Sequence, residues 1–302
     1  PSCVPAASAY AADFTITGSD HGPAGDYVLW YRQPATQWVE AFPVGNGRLD
    51  AMDFGGVEEE DLQLNEDTLW SGAPHDWNNP DASAVLPDIR RLVLDDENYH
   101  EADALCKKTQ GPYNESYQPL GNLFLKINGG SGATDYRREL DLDTAVARIA
   151  YRSAGSLFQR ERFSSAPDQV IVVRLACEKP GLLTFSASLD SALHYTTAVH
   201  PGNLLRLSGK APAHVVPNYV KSVTPVVYDD SDGKGMRFEC WLRIIPEGGA
   251  MQADGDRLQV TGANAATLLI AAGTGYKNYH QAPDISAGAI ASGCRTRLDA
   301  AS

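Results

Sequence analysis

Hydrophobic and polar residues alternate with a period of two along much of the chain. The segments 122–127, 183–189 and 236–244 each place apolar side chains at every second position, as strands do when one face is buried. Two further segments, 169–175 and 266–272, are almost continuously apolar, which is typical of strands covered on both faces. Turn residues separate these runs. The pattern predicts stacked antiparallel sheets, an all-β fold.

One stretch departs from this period. Residues 87–108 carry apolar side chains at three-to-four spacing, which predicts a short helical insertion. Pro87 suits a first helical turn, Asp95 and Asp96 are expected to break the stretch into two helices, and Gly111 is expected to close the second.

The distribution of turn residues and the lack of a linker suggest one large domain. Residues 1–25 lack periodicity and predict an irregular leader, whereas 26–280 form the predicted sandwich. Asn46-Gly47 between two apolar runs predicts a hairpin near its start. No repeat and no Ser/Gly linker divides the sandwich.

Composition narrows the function. The 302 residues carry a formal net charge of −13, with no basic stripe, so nucleic-acid binding is not expected. No apolar run is long enough to span a bilayer. The five cysteines and seven histidines show no metal-ligand spacing, and phosphate-loop, dinucleotide and nucleophile-elbow motifs are missing. We therefore expect no metal and no cofactor.

Secretion is expected from two features. The chain begins at Pro1, as a processed secreted protein would, and Asn114-Glu115-Ser116 is an N-glycosylation acceptor pattern. A cytosolic protein with buried thiols is the alternative.

The cysteine positions allow separate predictions. Cys240 alternates in register with Phe238, so we expect it to face the core, either as a buried thiol or bonded to Cys177. Cys3 and Cys294 are expected in less ordered termini.

Two acidic runs are interpreted as solvated turns. Residues 58–61 lie beside a Gly-Gly pair and predict an exposed hairpin end, and 229–233 predict an acidic hairpin turn, because the bidentate glutamate of a calcium loop is missing.

The strongest candidate site is the segment 65–72, which joins amide, carboxylate and hydroxyl groups to a tryptophan. Such groups beside an aromatic face recognise sugars, since they satisfy hydroxyls and cover C–H patches together. The loop 116–121 has the same character. The candidate substrate-binding residues are Asn65, Glu66, Thr68, Trp70, Tyr117 and Gln118. Alternatively, Trp70 packs in the sandwich while Asn65 and Asp67 cap turns.

Several segments resemble the amino-terminal domain of glycoside hydrolase family 95. They run in order along the chain: 38–49, 63–72, 116–125, 136–143 and 163–170. The resemblance implies a large antiparallel β-super-sandwich, with 281–302 starting a linker toward a helical barrel. Members are mainly inverting α-L-fucosidases, some of them α-L-galactosidases, and their catalytic residues belong to that barrel.

The resemblance therefore assigns a supporting role. No catalytic residue can be placed on this chain, which ends at Ser302, so the chain alone is expected to be inactive. The expected function is the amino-terminal sandwich of an inverting α-L-fucosidase that removes terminal α-1,2-linked L-fucose, with a fucosylated glycan and the helical barrel as partners. The alternatives are a stand-alone carbohydrate-binding or interaction domain without catalytic activity and the same domain of an α-L-galactosidase.

Overall fold

The chain folds as an all-β sandwich with few helices. The structure, a computed structural model, describes residues 15–19, 21–23 and 25–302, so Cys3 and most of the predicted leader lie outside the described residues. The strands are β1 Val28–Tyr31, β2 Phe42–Gly45, β3 Leu49–Asp53, β4 Glu59–Glu66, β5 Gly121–Ile127, β6 Thr134–Asp141, β7 Val146–Ser153, β8 Ser156–Ser165, β9 Val170–Cys177, β10 Leu183–Asp190, β11 His194–His200, β12 Leu204–Lys210, β13 His214–Val215, β14 Val226–Val227, β15 Arg237–Glu247, β16 Ala250–Asp254, β17 Arg257–Ala263 and β18 Ala265–Thr274. The α-helices are α1 Ala82–Leu94, α2 Tyr99–Cys106 and α3 Ala287–Ala300.

Two large antiparallel sheets face each other. The first has nine strands in the order β1-β6-β7-β8-β9-β18-β15-β12-β11, and the second has seven in the order β16-β17-β10-β5-β4-β3-β2. A small hairpin, β13-β14, lies beside them. The predicted alternation is confirmed in β10, where Leu183, Phe185, Ala187 and Leu189 all point into the core. The all-β sandwich follows from this period.

The predicted core position of Cys240 is confirmed. Its side chain is 1% exposed within the core that the two sheets share. The alternative disulfide to Cys177 is wrong, because every described cysteine is a free thiol and Cys177 instead contacts the Ser156 hydroxyl. Burial raises the pKa of the Cys240 thiol well above its ordinary value, so this group packs as a small apolar side chain.

Helix α3 covers the outer face of the nine-stranded sheet. Its side chains Ile290, Cys294 and Leu298 pack against Trp241 and Leu269. The expectation that Cys294 lies in a less ordered terminus is therefore wrong, since an amphipathic helix buries it completely. The same packing explains the continuous apolar run in β18, which is covered on both faces.

The helical insertion is confirmed as two helices that end and begin around Asp95 and Asn98. Helix α1 begins at Ala82, so the placement of Pro87 in its first turn is wrong. Good helix formers precede the proline and extend the helix, which loses one N–H bond at that position. Helix α2 ends at Cys106 in a 3₁₀ turn before Gly111 is reached.

The acidic run 58–61 is solvated only at Glu58 and Glu59, which are exposed, and the prediction is wrong for Glu60 and Asp61, which are buried. The Glu60 carboxylate is fully buried between the sheets and accepts hydrogen bonds from the Arg160 and Arg162 guanidinium groups. Arg162 Nη1 also donates to Asp53 Oδ2 at 2.8 Å. Burial raises the pKa of Glu60 to about 7, although both arginines favour its charged form. A paired, hydrogen-bonded cluster is the way proteins bury such charges.

The second acidic run, 229–233, lies in a turn between β14 and β15, but these strands are not paired, so the predicted hairpin is wrong. Lys210 Nζ donates to the backbone carbonyl oxygens of Asp229 at 2.6 Å and Ser231 at 2.9 Å.

Across the described residues, no group of His, Cys, Asp and Glu side chains is arranged to hold a metal ion. None of the helices described is long and apolar enough to cross a membrane.

Candidate functional site

The two predicted loops meet at one end of the seven-stranded sheet. Trp70 and Tyr117 form an isolated antiparallel bridge, and the backbone N–H of Gln118 donates to the Leu69 carbonyl at 3.0 Å. Residues that are 47 positions apart are thereby held as neighbours, because the bridge ties the end of β4 to the segment before β5.

Trp70 and Tyr117 form an exposed aromatic pair. Their ring centroids lie 5.4 Å apart at 71°, an edge-to-face contact. Trp70 is 43% exposed and Tyr117 is 39% exposed. Trp70 Nε1 donates to the Asp67 carbonyl at 3.2 Å, and the Tyr117 hydroxyl donates to the Glu66 carbonyl at 3.0 Å. These bonds fix the rings while leaving part of each face open.

Burial, assisted by nearby carboxylates, keeps the Tyr117 hydroxyl protonated. Burial, together with the negative charge of Glu66, raises the pKa of Tyr117 to about 12. The hydroxyl is therefore a hydrogen-bond donor throughout the neutral range.

Glu66 and Thr68 hold the loop from inside. Strand β4 extends to Glu66, two residues further than the alternation to Leu64 suggests. The buried Glu66 carboxylate accepts from Arg48 Nη1 at 2.9 Å and from the Thr68 backbone N–H at 2.8 Å and hydroxyl at 2.6 Å. The Glu66 and Thr68 side chains thus form hydrogen bonds within the loop itself.

The remaining two candidates are less exposed than the two rings, although the Asn65 side chain is within hydrogen-bonding reach of the Tyr117 hydroxyl. Asn65 is half-buried on β4, opposite Asp50 of β3. Gln118 is buried, and its Nε2 donates to the Ser116 carbonyl at 3.1 Å. Of the six candidate residues, Trp70 and Tyr117 thus present the largest open surfaces.

An open cavity of about 490 Å³ adjoins Trp70. Ligand sites in proteins span about 300–1,000 Å³ and combine aromatic walls with a few polar groups. Three aromatic side chains line this cavity besides Trp70: Trp77, Tyr276 and Tyr279. The sequence analysis did not assign these three to the site. The one signal for the tyrosines is an aromatic and polar run directly after β18.

Glu115 connects three segments beside this cavity. Its Oε2 accepts from the Ser71 hydroxyl at 2.6 Å and from the Val215 N–H at 3.2 Å, while Oε1 lies 2.7 Å from His214 Nδ1. Gly72 has a φ of +77° here, and a Cβ at this position would overlap the Glu115 side chain. The carboxylate thus positions the walls of the cavity and is engaged on both oxygens.

Most of the chain matches a known family model. Residues 29–279 match the family model described as glycosyl hydrolase family 65, N-terminal domain. The chain belongs to this family.

Relatives of this N-terminal domain include named fucosidases. The chain is 39% identical over 257 residues to "Alpha-L-fucosidase 2" of Arabidopsis thaliana, which covers 82% of this chain and 30% of that protein. It is 33% identical over 235 residues to "Probable alpha-fucosidase A" of Aspergillus niger, which covers 73% of this chain and 29% of that protein. The chain therefore spans about 30% of the length of these relatives.

A solved structure titled "Putative kojibiose phosphorylase from human microbiome" is similar over 91% of this chain and 35% of that chain, with a TM-score of 0.45 and 9% identity.

The matched range 29–279 of the family 65 N-terminal domain includes both site loops and the cavity aromatics. The expected glycoside hydrolase N-terminal domain is thus confirmed at this level, from a family model other than family 95.

Proposed function

We propose that the chain is the N-terminal sandwich domain of an inverting α-L-fucosidase. The longer enzyme would hydrolyse terminal α-1,2-linked L-fucose in a helical barrel outside this chain, as members of family 95 do. The observation that carries the proposal is the 39% identity to a protein named "Alpha-L-fucosidase 2". The exposed Trp70–Tyr117 pair beside a cavity supports it from the geometry.

The described residues supply a binding surface in this reaction. Inversion needs one carboxylic acid to protonate the leaving oxygen and one base to activate water on the opposite face of the sugar. Glu115 is engaged with Ser71, Val215 and His214. Because the resemblance to family 95 implies that the catalytic residues belong to the barrel, we assign both chemical roles to it. Trp70 would cover the C–H face of the sugar, and the polar groups beside it would orient the hydroxyls.

The proposed enzyme is secreted. Asn114 of the glycosylation pattern is exposed on the loop before the Trp70–Tyr117 bridge, and it also lines the Trp70 cavity, so a glycan attached there would lie at the edge of that cavity. The buried thiols Cys240 and Cys294 are protected from oxidation by the core in either redox environment.

Trp70→Ala in the full-length protein tests the proposal. We expect kcat/KM for an α-1,2-fucosylated oligosaccharide to fall about tenfold, the loss of roughly 1.4 kcal/mol of contact with an aromatic face. The melting temperature should change little, because almost half of Trp70 is exposed. Trp38→Ala is the matched control, since Trp38 is exposed outside the cavity.

The opposite pattern contradicts this role. Unchanged kinetics with a large drop in melting temperature would make Trp70 a packing residue. The 302-residue chain by itself should show no turnover of an aryl α-L-fucoside, whereas full-length protein should. Turnover by the chain alone would place the acid and base within it.

A further inference from the structure

A second cavity adjoins the first along the same loops. Its volume is about 610 Å³, and it shares with the Trp70 cavity the residues Ala73, Pro74, Trp77 and Glu115. The second cavity continues past Trp77 to Tyr113 and His214. Both cavities have Trp77 and Glu115 in their walls, so they are immediate neighbours, and we treat them as two compartments of one groove.

Aromatic faces occur in both compartments. Trp77, at the junction, is 36% exposed, and Tyr113, in the second compartment, is 58% exposed. With Trp70 in the first compartment, successive rings line the groove. Repeated aromatic faces with polar groups between them suit a chain of sugar rings, each with its own C–H patch and hydroxyls.

The Trp77 segment is held in place before any ligand binds. His75 packs edge-to-face on the Trp77 ring with centroids 5.0 Å apart. A Cβ at Gly111 would overlap the Trp77 carbonyl oxygen, so the two loops are in close backbone contact. Asn79 Nδ2 fastens the segment by donating to the carbonyl oxygens of Lys108 at 2.8 Å and Gln110 at 2.9 Å. A fixed ring reduces the entropy lost on binding.

The charges of the second compartment have partners within the protein. Lys234 Nζ lies 3.7 Å from the Asp229 carboxylate, and His214 lies against Glu115. A phosphorylated or sulfated ligand would compete with these acidic partners for the cations. The balance of charge therefore favours a neutral ligand.

We propose that this groove binds a neutral oligosaccharide, with the terminal sugar beside Trp70 and the following sugars against Trp77 and Tyr113. The inference rests on the proposed function, and it adds the part of the glycan beyond the terminal residue. Trp77 and Tyr113 together are then the specificity-determining residues for chain length. The domain itself selects longer glycans over short ones.

Binding of three probes to the 302-residue chain tests the inference: L-fucose, an α-1,2-fucosylated disaccharide and an α-1,2-fucosylated neutral pentasaccharide. Isothermal titration should show the pentasaccharide bound about tenfold more tightly than the disaccharide. Trp77→Ala should weaken binding of both the pentasaccharide and the disaccharide, whose second sugar contacts Trp77. Tyr113→Ala, which changes only the second compartment, should weaken binding of the pentasaccharide and leave the disaccharide Kd unchanged. Trp70→Ala should weaken both, and Trp38→Ala should affect neither.

A second variant separates the effect of losing the Trp77 ring from the effect of disturbing its loop. Trp77→Phe keeps an aromatic face and should retain most of the preference for the pentasaccharide, whereas a merely structural role would not distinguish the ligands by length. An unchanged pentasaccharide Kd in Trp77→Ala overturns the inference. Failure of the wild-type chain to bind any of the three probes also overturns the inference. If Trp70→Ala nevertheless impairs hydrolysis by the full-length protein, the proposed function stands without this groove.

Discussion

Asp61 is a buried carboxylate without a cation, and its removal should stabilise the protein. It lies on β4 with its side chain on the face opposite the core residues Leu62 and Leu64, and it is 5% exposed. Its Oδ2 accepts one long bond from Gln63 Nε2 at 3.4 Å, and its Oδ1 is buried without a hydrogen-bond partner in the described part of the chain. Burial, with a contribution from the charge of Asp190, raises the pKa of Asp61 to about 6.

The sign of the effect follows from proton binding. A carboxyl with a higher pKa in the folded state than in the unfolded state binds its proton more tightly when folded. The contribution of Asp61 to stability is therefore fully present below pH about 4 and is lost as the pH rises through about 6. A shift of about two units corresponds to about 3 kcal/mol at neutral pH. Asp61→Asn keeps the shape and removes the charge, so it should recover about 1–3 kcal/mol, allowing for an amide that is also incompletely paired.

Urea unfolding at several pH values between about 4 and 8 measures this effect. Asp61→Asn should raise the free energy of unfolding at pH about 7.5, change it little at pH about 4, and flatten the slope between these values. Asp103→Asn, on the exposed surface of α2, is the matched control and should leave the slope as in the wild type. A variant that is less stable at pH about 7.5, or whose slope is unchanged, would refute the argument that the buried charge is unfavourable.

Two other predictions concern buried groups. Arg162→Met removes a guanidinium from the buried Glu60 carboxylate, so the free energy of unfolding should fall by about 3–5 kcal/mol; a loss below about 1 kcal/mol would mean that the cluster reorganises around the remaining arginine. In the folded protein, Cys106 is exposed and Cys240 is buried, so a thiol reagent followed by peptide mapping should modify Cys106 within minutes and Cys240 only after unfolding. Equal rates for the two thiols would contradict the core position of Cys240.

Local periodicity was sufficient to predict the sheets and parts of the core. Alternating residues of a strand face opposite sides, so the apolar set at 183–189 identifies its own buried face without knowledge of its neighbours. The position of Cys240 followed from the same rule. The mixed polar and aromatic composition of the Trp70 and Tyr117 loops predicted an exposed surface rather than a core, and both rings are partly exposed, while sugar binding there stays a prediction.

Contacts between distant residues could not be deduced from local patterns. Glu60 looked solvated because its neighbours in sequence are acidic, yet Arg160 lies 100 positions away and pairs with it between the sheets. Cys294 was expected in a less ordered terminus because it lies close to the end of the sequence, but α3 packs on an apolar face of the sheet and buries it. The cavity needed Tyr276 and Trp77 brought to the same place from opposite ends of the domain.

The sequence by itself thus determined which residues form strands and which face of each strand is apolar, because these properties depend on neighbours two positions away. The tertiary structure alone decided which charges are paired, which thiol is buried under a helix and where the aromatic groove lies. Each of these depends on strand order, and strand order is set by how the two sheets bury their faces together.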